Sequence, residues 1–137
     1  MRFPCDNILH VSLSYPYRAT QRLPTVRKGG LAPWQLRRVA EYIHEHPDGD
    51  LGLIELAAIV GLSSHHFGEA FKISTGISPH RYVIEQRVQR AAKLLNESAG
   101  SIAEIAYAVG FSSQSHLTTN FHRIIGVTPV QFRRMRK

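Results

Sequence analysis

From Pro33 onward the apolar residues recur with the period of helices. Leu36, Val39, Ala40 and Ile43 lie on one helical face behind Pro33, a residue suited to a first turn. The pattern lapses at Pro47-Asp48-Gly49-Asp50, resumes over Leu53–Val60, and turns at Gly61 before Ser63-Ser64 opens another helix. Ser78-Pro79, a cap followed by a first-turn proline, starts a long helix running to about Asn96. Ser101 and Glu104 have the spacing of a capping box at the head of the next one. Gly110 breaks that helix, a further one starts near Ser113, and Thr128-Pro129 repeats the cap-and-proline device before a short last helix. No stretch alternates with the period of two that a strand needs, so the chain is expected to be all-α, with about seven helices. Trp34 and Tyr42 are expected to pack in the core behind the first helix. Residues 1–31 hold Pro4, Pro16, Pro24 and Gly29-Gly30 without a sustained period, and read as a flexible basic leader.

The helical blocks repeat. Ala57-Ala58-Ile59-Val60-Gly61-Leu62-Ser63-Ser64 recurs 49 residues later as Ala106-Tyr107-Ala108-Val109-Gly110-Phe111-Ser112-Ser113. Beyond the turn the offset is 50, pairing Phe67 with Leu117, Phe71 with Phe121, Gly76 with Gly126 and Pro79 with Pro129. One extra residue after the second turn accounts for the change. Such a register marks one supersecondary unit used twice. Ala57 and Ala106 each stand four residues before a glycine, Gly61 or Gly110. Alanine lets two steeply crossed helices approach, and glycine reaches the positive φ of a tight turn between them. Leu56, Val60, Leu62, Phe67 and Phe71 would fill the first crevice, and Ile105, Val109, Phe111, Leu117 and Phe121 the second. The unit is a helix-turn-helix, whose second helix is shaped for a major groove.

Composition narrows the function. The 137 residues, 43% hydrophobic, suit one ordinary domain or two very small ones sharing a core. No apolar run is long enough to span a membrane, and Met1–Asp6 do not form a signal peptide, so a cytoplasmic protein is expected. Cys5 is the lone cysteine, an incidental thiol that excludes an internal disulfide and a cysteine-based zinc site. His44/His46 and His65/His66 lack a third ligand at a recognisable spacing, so no metal and no cofactor are expected. Ser63, Ser64, Ser112 and Ser113 read as helix caps with no acid–base set beside them, which argues against an enzyme.

The formal net charge is +7. Residues 1–31 carry five bases against one acid, residues 32–70 two against six, and residues 71–137 ten against three. A polyanionic partner is favoured, and the C-terminal half has the stronger pull on phosphate.

The stretch Ser101–Ala106, continuing through Val109-Gly110-Phe111-Ser112-Ser113-Gln114-Ser115-His116-Leu117 to Phe121 and Gly126-Val127-Thr128-Pro129, resembles the signature of the AraC/XylS family of bacterial transcription regulators. The resemblance covers about residues 32–136. It implies two homeodomain-like three-helix subdomains, at 32–77 and 98–137, joined by a linker helix at 78–97. It also implies recognition helices entering successive major grooves, and activation of transcription through contact with RNA polymerase. A linker of roughly 18 residues is about 27 Å long, of the order of the ~34 Å between major grooves on one DNA face.

Helical phase points Phe67, Ala70 and Phe71 inward and His65, Gly68, Glu69 and Lys72 outward. The matched outward set in the second unit is Ser115, Thr118, Thr119 and His122. By the resemblance, His65, Gly68, Glu69, Gln114, Ser115, His116 and Thr119 stand where family members meet bases. Gln114 suits adenine, Glu69 the cytosine N4 group, and Thr119 a thymine methyl. Lys72, Arg87, Lys93, Arg123, Arg133 and Arg134 are the phosphate candidates. Gly68 supplies no side chain where the family often reads a base, and Gly52 stands where a serine cap is common. The expected partner is double-stranded DNA, bound by a monomer if the chain is free-standing. If it is the C-terminal part of a longer regulator, an N-terminal domain could dimerise it. The competing reading is a degenerate helix-turn-helix pair that binds polymerase or another regulator instead of DNA, which the acidic first unit would permit.

Overall fold

The computed structural model describes residues 28–49 and 51–135; the leader up to residue 27, Cys5 included, lies outside the described residues. The described residues form α1 (Pro33–Glu45), α2 (Leu53–Ile59), α3 (Ser64–Thr75), α4 (Pro79–Glu97), α5 (Ile102–Ala108), α6 (Gln114–Ile125) and α7 (Pro129–Met135), with no strand among them.

Side chains fix where the helices start. Ser63, Ser78, Ser101 and Ser113 each accept a hydrogen bond from a backbone N–H of the first turn that would otherwise lack a partner. Ser101 and Glu104 form the expected capping box, at 3.0 and 2.9 Å. Thr128 and Gln131 form a second, at 3.1 and 3.0 Å, so the cap-and-proline start of α7 has a reciprocal bond as well. At α1, the Ala32 N–H donates to Gln35 Oε1 (2.8 Å). Gly52 precedes α2 without a side-chain cap.

Two cores form, and α4 contributes to both. Leu36, Val39, Ile43, Leu56, Phe67 and Phe71 pack with Tyr82 and Val83 from the start of α4. Ile84, Val88, Ala91, Ala92 and Leu95, farther along α4, pack with Ile105, Val109, Phe111, Leu117, Phe121 and Phe132. The crevice residues expected from the repeat are all buried except Leu62, which is half-buried beside the turn. Burial of this kind is the principal favourable term in folding.

Two expectations change. Trp34 is 54% exposed rather than in the core, because its place in the first turn of α1 lies off the face of Leu36, Val39 and Ile43. Tyr42, by contrast, is half-buried, packs against the first core as expected and stacks on His46, with ring centroids 4.1 Å apart. Leu31, counted with the leader, is buried in the first core, and its N–H donates to Ser74 Oγ (2.8 Å), so ordered packing begins before residue 32.

Candidate nucleic-acid interface

Each unit places its second helix by the same device. Ala57 and Ala106 are buried where α2 meets α3 and α5 meets α6. Gly61 and Gly110 take φ of +72° and +100° in the turns, a region that costs most side chains strain. The Leu62 N–H donates to Ala57 O (3.0 Å), and the Phe111 N–H to Ala106 O (2.9 Å), closing the two turns alike. The extra residue lies between this closure and the next cap: Ser63 caps α3, whereas Ser113 caps α6 and Ser112 sits in the turn. Ser64 is helical, so of the four serines read as caps, Ser63 and Ser113 act as such.

The two second helices bury equivalent faces and expose equivalent faces. Phe67, Ala70 and Phe71 point into the first core, and Leu117, Asn120 and Phe121 into the second. His65, Glu69 and Lys72 are exposed on α3, with Gly68 half-buried between them. Gln114, Ser115, His116, Thr119 and His122 are exposed on α6, and Thr118 is half-buried. All seven base-reading candidates therefore lie off the core.

The α6 face is held in shape by contacts that neither periodicity nor charge announces. Ser112 Oγ bonds His116 Nδ1 (3.3 Å), and the edge of Phe111 packs against the same imidazole at 5.0 Å, so two turn residues orient the ring. Asn120 occupies the place of Ala70 in the repeat and is buried. Its amide donates to His116 O (2.9 Å), while its Oδ1 accepts from the Arg123 guanidinium. A polar residue where the first unit has alanine was the available signal for this role.

Around α3 the surface is concave. A hollow of about 450 Å³ is lined by Gly52, Leu53, Gly68, Glu69, Lys72, Ser78, Pro79 and His80. The first turns of α2 and α4 border it.

The phosphate candidates divide in two. Lys72, Lys93, Arg123 and Arg134 are exposed. Arg87 and Arg133 are engaged inside the protein. Arg87 donates through Nε to Pro47 O (3.2 Å) and through Nη2 to Gly49 O (3.0 Å). Arg133 donates to Leu95 O (3.4 Å) and Ser98 O (3.1 Å), closing the C-terminal end of α4. Among the described residues, no group of three His, Cys, Asp or Glu is placed to hold a metal ion, and no helix is long and apolar enough to cross a membrane.

Two helix-turn-helix units with exposed polar second helices, tied by one shared helix, define the class of double helix-turn-helix domains. Comparison with known proteins is specific. A family model described as a helix-turn-helix domain matches residues 56–135. The HTH-type transcriptional regulator MtrA of Neisseria gonorrhoeae is 32% identical over 109 residues, covering 77% of this chain and 36% of that protein. The HTH-type transcriptional regulator GlxA of Rhizobium meliloti is 33% identical over 129 residues, covering 94% and 40%. The DNA-binding domain of the global transcriptional factor AdpA, solved in complex with a target DNA, superposes with a TM-score of 0.68 at 33% identity, covering 72% of this chain and 88% of that one. The chain belongs to the AraC family and carries its double helix-turn-helix domain. That family consists of transcription regulators, not enzymes. The chain spans well under half the length of the curated relatives it matches, between 36% and 40% for these two.

Proposed function

We propose that this protein binds double-stranded DNA at specific sequences and regulates transcription by placing α3 and α6 in successive major grooves. One observation carries the reading: His65 and Glu69 on α3 and their repeat equivalents Ser115 and Thr119 on α6 are all exposed, off the two cores. The likeness to a domain solved on its target DNA supports it. His65, Gly68 and Glu69 on α3, and Gln114, Ser115, His116 and Thr119 on α6, make up the base-facing surface. Lys72, Lys93, Arg123 and Arg134 are the cations that meet phosphate. The second unit supplies more of the electrostatic affinity than the first, since residues 98–137 hold five bases against one acid and residues 32–77 three against six. Action as an activator, through contact with RNA polymerase in the cytoplasm, follows from the family resemblance.

A salt titration of affinity on a promoter fragment and on scrambled duplex tests the reading. DNA recognition gives a steep linear fall of log affinity with log salt and a preference for the specific fragment. A salt-insensitive, sequence-blind result would favour the protein-interaction module. On the same duplexes, Thr119→Ala relaxes base preference, whereas Arg123→Ala weakens binding to all sequences alike. Identical behaviour of the two variants would refute these assigned roles.

A further inference from the structure

The first unit is held to α4 by few side chains. Its core takes Tyr82 and Val83 from that helix, whereas the second core takes Ile84, Val88, Ala91, Ala92 and Leu95. Two arginines on the part of α4 embedded in the second core reach back across the seam. Arg87 donates to Pro47 O and Gly49 O in the loop between α1 and α2, and Arg90 donates to His44 O (3.2 Å) at the end of α1.

The turn of the second unit closes the same seam from the other side. A Cβ added at Gly110 would lie 2.5 Å from Pro47 O and 2.7 Å from Arg87 Nε. The equivalent turn glycine of the first unit, Gly61, has the same kind of backbone and nothing within 4 Å of such a Cβ. The backbone therefore requires glycine at both turns, while close approach of the other unit requires it at Gly110 alone.

We infer that Arg87, Pro47 and Gly110 form a joint that locks the two units together, and that this joint makes the protein selective for the spacing between the two DNA half-sites. The inference rests on the proposal that both α3 and α6 enter DNA. Arg87 is a positioning residue in this arrangement and touches neither base nor phosphate. Moving one half-site by a base pair shifts it by about 3.4 Å and rotates it by roughly 35° about the duplex axis. A locked pair of units cannot follow that movement, whereas a loosened pair can. Binding two linked sites together is strongest when the connection matches their span, and rigidity sharpens the optimum.

The test uses the full chain on a site obtained by selection from random duplex, together with versions of it lengthened or shortened by one base pair between the half-sites. For the unaltered protein, either change weakens binding about tenfold or more. In Arg87→Met, which keeps the apolar stem but cannot donate, the ratio between optimal and altered spacing falls below about threefold. Gly110→Ala broadens the preference in the same way, while Gly61→Ala, which carries the turn strain without the seam clash, keeps the original ratio. Thermal melts confirm that each variant is folded at the assay temperature, and the two alanine variants decide the matter if Arg87→Met is not. An unchanged ratio in Arg87→Met, equal broadening by Gly61→Ala and Gly110→Ala, or indifference of the unaltered protein to spacing would each overturn the joint. Failure of the unaltered protein to select any duplex would overturn the proposed function instead.

Discussion

A guanidinium can spend its donors on phosphate oxygens or on backbone carbonyls, and the two uses leave different traces. A cation that meets phosphate releases counterions, so its removal lowers the steepness of the salt dependence by about one. A cation that bonds carbonyls contributes stability and leaves that slope unchanged. Arg133, with its bonds to Leu95 O and Ser98 O, belongs to the second kind. Arg133→Met should leave the salt slope of DNA binding unaltered and destabilise the fold by about 2–4 kcal/mol, the order of a charged hydrogen bond plus a cation at a helix C-terminus. Denaturant unfolding and the salt titration measure the two effects. A reduced slope without loss of stability would return Arg133 to the phosphate surface. Sequence could not separate these arginines from Arg123 and Arg134, because their partners lie between 35 and 40 residues away in the chain. Base count and helical phase say which side chains are cationic and outward, but not which carbonyl lies within reach.

At the level of elements, the signals that act within a few residues were readable and those that act across the fold were not. Ser78-Pro79, Ser101 with Glu104, and Thr128-Pro129 each start a helix where local hydrogen bonding requires it. The 49-to-50 change of offset was visible, but the residue responsible was not. Either serine of Ser112-Ser113 has the chemistry of a cap, and in the structure Ser113 caps α6 while Ser112 sits in the turn. Trp34 was misplaced because aromatic character favours burial while the helical phase of its neighbours turns it outward. In α3, Gly68 weakens the helix by local conformational entropy. A Cβ there would meet the Leu53 methyl groups at 3.7 and 3.8 Å, ordinary contact distances. Gly68→Ala should therefore stabilise the protein by about 0.5–1 kcal/mol, raising the melting temperature by a few degrees. Calorimetry checks this; a lower melting temperature would mean that the approach of α2 to α3 tolerates no added methyl.

For the whole molecule, the two units are alike in backbone and unlike in charge. Residues 32–77 hold three bases against six acids, while residues 98–137 hold five against one. If both units enter DNA as proposed, phosphate attraction falls mainly on the second unit, and the first depends on α4 and the seam at Arg87 to be presented to its groove. The most direct measurement of such two-handed binding is hydroxyl-radical footprinting of the chain on a selected duplex. Protection in two patches on one face, separated by about 10–10.5 base pairs, is expected if α3 and α6 occupy successive major grooves. A single protected patch, or two patches on opposite faces of the duplex, would contradict it.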